Sequence, residues 1–255
     1  MIGIGSFIAL SLRARLVRVL GLIAFGAVFL VAAATTRFVT GGGHGHVELD
    51  RLFQLGGSTL VSALLLIGWL AGRFPIIAVL VLMSGVFSAD RAAGHARLYA
   101  VRPRSMLLLY GARALVLMLL AFALSAIIMP AFDLLLLGRW PGTGLLAMIG
   151  AQVVVYGSLT ALLSTIGRGD AWAALFVGIV GLVWDALRRA DFFQQSVHVV
   201  RDAVSVVLPP QGALMRVETA FASFEPVPWD AMLYIATWAT LAFIVAAVVL
   251  SRREL

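Results

Sequence analysis

Long apolar runs alternate with short polar breaks along this chain, and the runs share one length. Residues 17–36, about 106–129, 144–166, 171–187 and 231–250 each come close to the roughly 20 residues that an α-helix needs to cross about 30 Å of hydrocarbon. A further apolar region, 52–88, holds 37 residues and would run to about 55 Å as one straight helix. Gly72-Arg73-Phe74-Pro75 interrupts it near the middle. The region either crosses once, with its first part at the outer interface, or makes a hairpin at that break. A hairpin's second arm, 76–88, would be only about 20 Å long, short of a span. It would also separate the basic segment that follows from the arginine-rich N-terminus. A single crossing is therefore expected.

Shorter patterns complete the plan. Residues 3–16 predict a short helix lying on the inner membrane surface. They do not make a secretory signal, because Arg13, Arg15 and Arg18 follow the first apolar stretch and no small-residue cleavage site comes after it. Residues 188–229 mix apolar positions with Arg188, Arg189, Asp191, Arg201, Asp202, Arg216 and Glu218, and Pro209-Pro210 divides them. That predicts short interfacial helices separated at the prolines. The expected fold is all-α and forms a single transmembrane domain over 1–255. It has six transmembrane helices, an N-terminal interfacial helix, a cytoplasmic helix after the second span and outer interfacial helices before the sixth.

Composition moves the chain out of the soluble class. It is 62% hydrophobic and 12% charged, with a mean hydropathy of +1.04. Too little polar surface remains to cover a soluble core. All 19 basic residues are arginine. With six spans, eleven of them (Arg13, Arg15, Arg18, Arg91, Arg97, Arg102, Arg104, Arg113, Arg168, Arg252, Arg253) fall on one side with only Asp90, Asp170 and Glu254. The other side holds seven arginines and nine acids, and Arg73 lies within an apolar run. The positive-inside rule then places both termini in the cytoplasm of a multi-pass protein of the bacterial inner membrane. The arginines cap apolar runs and do not share one soluble face, so the pI of about 11.1 does not indicate nucleic-acid binding. The absence of cysteine excludes disulfides, thiolate metal sites and cysteine nucleophiles.

The segment SADRAAGHARLYAVRPRS, 88–105, carries four of the arginines between two apolar runs. It can form a short amphipathic helix, with Asp90 at the positive N-terminal end and Pro103 as the stop. On physical grounds alone it reads as a cytosolic loop that obeys the positive-inside rule and binds anionic membrane lipid. The wider stretch FSADRAAGHARLYAVRPRSMLLLYGARALV resembles the intracellular segment of type-2 ATP-binding-cassette (ABC) exporter permeases. Asp90 and Gly94 match that family's acid–glycine pair, Leu98 and Tyr99 its apolar stretch, and Arg102-Pro103 its turn into the third span. The ending VLSRREL and the six-span plan are also similar to it. The chain departs from the family at Arg104-Ser105-Met106, where a small or apolar residue, a serine or threonine and a basic residue usually follow the proline.

The resemblance implies a coupling helix that docks into a separate ATPase subunit through Asp90, Arg91, Gly94, Arg97, Leu98, Tyr99, Arg102, Pro103 and Arg104. It implies a second permease subunit, identical or not, with the first, second and fifth spans lining the path between the two. It implies a non-catalytic subunit that binds no cofactor, with ATP and magnesium on the partner. The sequence agrees in having neither a GxxxxGK[ST] loop nor an acid–histidine cluster for metal-assisted hydrolysis. The competing reading is a non-transporting membrane scaffold or assembly subunit.

Other residues are ambiguous. Arg73 either lines a translocation path or binds an anionic group, or it snorkels or pairs structurally beside the Pro75 kink. His44 and His46 in GGGHGH lie near Glu48 and Asp50, but glycine-rich flexibility explains that loop without a metal. Asp185 reads as interfacial. Trp69, Trp140, Trp184, Trp229 and Trp238 read as belt or packing residues. Gly21/Gly26 and Gly178/Gly181 favour close helix approach.

The cysteine-free sequence makes the topology testable. A membrane-impermeant maleimide should label Ser223→Cys in intact cells, and Ser105→Cys only after permeabilisation. Labelling of both from outside would refute the orientation.

Overall fold

The computed structural model describes residues 4–39, 62, 65–89, 106–138, 140–167, 169–190 and 198–253. Among them all regular structure is helical: α1 (Ile4–Arg13), α2 (Leu16–Val39), α3 (Leu65–Gly72), α4 (Phe74–Met83), α5 (Met106–Leu137), α6 (Thr143–Ile166), α7 (Asp170–Arg189), α8 (His198–Val207), α9 (Gln211–Ala222) and α10 (Trp229–Arg253). Helices α2, α5, α6, α7 and α10 are long and apolar enough to cross a membrane, and α3 with α4 makes a sixth if the bent pair counts as one span. This is the architecture of a polytopic helical membrane protein. Helix α5 runs eight residues beyond the expected end at 129, carrying Pro130 inside it. Proline removes one backbone donor there, but the apolar run continues and Phe132 packs into the core.

The interruption at GRFP bends the chain without reversing it. Helices α3 and α4 meet at 45° across Arg73. Pro75 sits in the first turn of α4, where its missing N–H leaves no intrahelical bond unmade. Its ring excludes a continuous helix through Ala71, whose carbonyl it would strike. Arg73 therefore occupies the joint at φ −97°, ψ 0°, and the Arg73 N–H bonds to Leu70 O at 3.0 Å. No hairpin forms at this break.

Helix α6 is the central pillar. It packs against α4, α5, α7, α9 and α10, and 72% of its most apolar stretch is buried. A helix enclosed on all sides needs small residues for close approach, and any hydroxyl must find a partner. Thr160 and Thr165 donate to Tyr156 O and Leu162 O, both at 2.6 Å, and Ser158 donates to Val155 O at 3.0 Å. In contrast, α2 and α7 each bury only 22% of their apolar stretch. Helix α2 is held by an aromatic cluster in which Phe29 meets Phe74 and Phe132 edge-on at 6.5 and 6.4 Å.

The two helices divided at Pro209-Pro210 form as expected: α8 lies on the surface, with Val199 and Val207 exposed, whereas α9 turns Gln211, Leu214, Val217 and Ala220 into the bundle. Both prolines are buried. Gln211 donates to the Tyr156 hydroxyl at 3.0 Å, about midway along α6. Trp184 donates to Ser205 Oγ at 3.1 Å and Trp238 to Val206 O at 3.2 Å, tying α8 to α7 and α10. Helix α9 ends in a Schellman turn, with Phe224 at φ +56° and Glu225 N–H bonded to Ala220 O at 2.8 Å.

Of the small-residue pairs, Gly178 faces the Tyr156 ring, Gly181 faces Pro209 and Gln211, and Gly26 faces Ile128, whereas Gly21 meets nothing within 4 Å. A Cβ at Gly178 would lie 2.7 Å from Tyr156 Cε1. Gly178→Ala should therefore destabilise the detergent-solubilised protein by about 1–3 kcal/mol in thermal unfolding. Gly21→Ala should leave stability unchanged or raise it by up to about 1 kcal/mol.

Candidate functional site

Polar side chains gather at two levels of the bundle. The lower level lies where α4 ends, just before the basic segment. Ser84 closes α4 and Gly85 turns at φ +70°, a left-handed conformation that favours glycine. The carbonyls freed there accept from two arginines of the α1–α2 junction. Arg15, 4% exposed, donates to Leu82 O and, at 3.1 Å, to Ser84 O. Arg18 donates to Ser84 O at 2.7 Å and to Val81 O at 3.2 Å.

The freed N–H groups point the other way, onto α6 and α7. Gly85 N–H donates to both carboxylate oxygens of Asp170, at 2.9 and 3.1 Å. Phe87 and Ser88 N–H share the Ser164 hydroxyl at 3.0 and 3.2 Å. Asp170 is 2% exposed and also caps the first turn of its own helix through Ala171 N–H at 2.9 Å. Beyond the basic segment, Tyr110 near the start of α5 meets Phe7 and Phe87 edge-on at 6.2 and 5.4 Å. The buried Arg113 lies 5.8 Å over the Phe7 ring.

The upper level is centred on Arg73, roughly 15 Å along α4 from the lower one. Its guanidinium forms an ion pair with Glu218 of α9 and sits 6.0 Å over the Trp69 ring. Gln152 of α6 donates its amide to the same Glu218 oxygen at 2.8 Å. A cavity of about 220 Å³ opens beside this group, lined also by Asp133, Phe132, Met129, Met148 and Phe221. A wider cleft of about 890 Å³ lies among α7, α8, α9 and the start of α10. Ion pairs Arg189–Asp185 at 2.9 Å and Arg216–Asp230 at 2.7 Å line it.

The expected docking residues Asp90, Arg91, Gly94, Arg97, Leu98, Tyr99, Arg102, Pro103 and Arg104 lie outside the described residues, as do His44, His46, Glu48 and Asp50. Arg73 is described, and it faces an acid from a segment 145 positions away in sequence. Among the described residues no group of three metal-ligating side chains occurs. Sequence reading missed Arg15, Arg18, Ser164 and Asp170 as one cluster, and Gln152, Asp133 and Glu218 as neighbours of Arg73. An intramembrane glutamine and an acid three residues past a proline were the available signals, but their pairing depends on how the helices fold together. The chain matches no protein-family model, no curated protein and no solved structure.

The Arg73–Glu218 pair is 31% and 24% exposed at its two side chains, so it should be worth more than a surface pair. A double-mutant cycle with Arg73→Gln and Glu218→Gln, read by thermal unfolding, should give a coupling of about 1–3 kcal/mol. Additive effects would show that the two charges act independently.

Proposed function

We propose that this chain is the membrane-spanning permease subunit of an ABC exporter, with residues 88–105 as the coupling helix that docks on a separate ATPase subunit. The observation that supports this most is the mounting of that segment. A coupling element must pass force into the spans without yielding locally. The backbone entering this one is held at Ser84–Ser88 from three directions, by the α1–α2 junction, by α6 and by α7. A plain lipid-binding loop has no need of such anchoring.

The reading extends to the rest of the assembly. A second permease subunit packs on this one, and the weakly buried α2 and α7 supply apolar surface for it. Residues Trp172, Phe176 and Ile179 of α7 are 77%, 67% and 53% exposed. The same helices include the first and fifth spans that the resemblance assigns to the path, with Arg73 beside it. Six spans, cytoplasmic termini and a bacterial inner-membrane location belong to this proposal. So does a non-catalytic role in which ATP and magnesium bind only the partner. ATP binding then shifts the pair between inward- and outward-facing states by contacting residues 88–105 differently in each.

Co-purification tests the assignment. Tagged full-length protein should bring down an ATPase subunit carrying Walker A and signature motifs, and Asp90→Asn or Gly94→Leu should abolish the capture. Asp170→Ala should leave capture in place while substrate-stimulated ATP hydrolysis falls by at least about tenfold, because the mount and not the docking surface is lost. If no ATPase subunit is captured by the intact protein, the scaffold reading replaces this one.

A further inference from the structure

The elbow between α1 and α2 gathers positive charge without a matching acid. Arg13, Arg15 and Arg18 stand close together in sequence, and no Asp or Glu precedes Glu48 in the chain. Arg15 and Arg18 both donate to Ser84 O, which holds their Nη1 atoms within about 6 Å of each other, where like charges repel. The described acid at this level, Asp170, is already engaged by the Gly85 and Ala171 N–H groups. Arg13 is exposed and meets no acid among the described residues.

Arg18 is the member of this group that is both fixed and open. Its Nη1 donates to Val81 O at 3.2 Å and to Ser84 O at 2.7 Å, and the side chain has no further partner among the described residues. The Nε hydrogen and both Nη2 hydrogens therefore remain as a fork of donors on an exposed guanidinium. Carbonyl oxygens hold that fork in place without neutralising it. Two oxygens of a phosphate match its geometry.

An apolar track leads away from the fork along α2. Val17, Gly21, Ala24 and Val28 are exposed on one side of the helix, and Gly21 lies one turn above Arg18. Val17 and Val28 are 80% and 63% exposed, and a Cβ at Gly21 would meet nothing within 4 Å. From Val17 to Val28 the track rises about 16 Å, close to one leaflet of a hydrocarbon core about 30 Å thick. A phosphate at the foot and an acyl chain along the track outline a phospholipid. Leu16, Leu20 and Ile23, at the other edge of the exposed arc, stay available to a second subunit.

Other occupants use less of this surface. A soluble anion engages the fork but not the track. An acidic peptide reaches the fork from water and leaves the track to lipid. A zwitterionic phospholipid engages both, but it brings an ammonium among arginines whose neighbouring acid is already taken.

We infer that the α1–α2 elbow binds an anionic phospholipid, with its phosphodiester on the Arg18 fork and an acyl chain along Val17, Gly21, Ala24 and Val28. The site goes beyond the proposed export role and needs no ATPase. Failure of the following test leaves ATPase docking untouched, and failure of docking leaves this site standing.

The absence of cysteine permits a local test on the full-length chain. Gly21→Cys and, as a distant exposed site, Ile244→Cys on α10 are labelled with bimane in phosphatidylcholine nanodiscs. A minor fraction of the lipid is brominated on its acyl chain and is either phosphatidylglycerol or phosphatidylcholine. At residue 21, brominated phosphatidylglycerol should quench like an at least about threefold higher fraction of brominated phosphatidylcholine. At residue 244 the two lipids should quench alike. Arg18→Gln should remove the difference at residue 21, and excess glycerol 3-phosphate should leave it in place. The inference is overturned if the two lipids quench alike at residue 21, if the same difference appears at residue 244, or if it survives Arg18→Gln. Loss of the difference on adding glycerol 3-phosphate would also overturn it, by marking a soluble-anion site. Should Arg18→Gln not fold, the two lipids compared at the two labelled sites decide alone.

Discussion

A backbone that leaves its helix inside a low-dielectric bundle must find partners for every N–H and C=O it releases, and the turn at Ser84–Ser88 is where this chain meets that demand. Each unmet group would cost several kcal/mol in hydrocarbon. The carbonyls go to Arg15 and Arg18, and the N–H groups go to Asp170 and Ser164. Sorting donors to one side and acceptors to the other ties together three parts of the chain that are far apart in sequence: the α1–α2 junction, the turn and the α6–α7 junction. The start of α2, the end of α6 and the start of α7 all meet at that one turn. Apolar packing cannot set them alone, because lipid solvates an apolar helix face about as well as another helix does.

Above the turn, specificity comes from surface shape. Gly178 lets the Tyr156 ring reach α7, and the tyrosine in turn accepts from Gln211 at the start of α9. Helix α9 carries Glu218 beside Arg73, so the charge at the helix joint is met by a segment between α7 and α10. The arginine that looked isolated in its apolar run is thus part of the lateral packing of α9. Its exposed neighbour Trp69 marks where the joint reaches the flank of the bundle.

Helix existence and type were legible, because span length and apolar continuity depend only on local sequence. The five long helices fall within a few residues of their expected places, except that α5 continues past Pro130, where the apolar run outweighed a single lost bond. The bend at GRFP was legible for the same reason, since Pro75 acts within its own turn. The burial of α9 against α6 was not. A short helix with a strong apolar face reads alike whether that face meets lipid or α6. Asp170 looked like one inside charge among several, and only its approach to Gly85 reveals a structural anion. Ser164 carried no signal, because a buried serine more often bonds back to its own helix, as Ser158 does.

The long reach of the lower contacts also orders events during biosynthesis. Arg15 and Arg18 are made early, yet their acceptors lie 63 to 69 residues later in the chain. Asp170 follows Gly85 by another 85 residues. A nascent chain that has inserted α2 and α4 therefore holds two arginines and a half-capped turn at the membrane boundary, and that turn stays incomplete until α6 and the start of α7 have left the ribosome. Water at that boundary can solvate the open groups in the meantime. Closure of the turn is then a checkpoint that only a chain with its central pillar in place can pass.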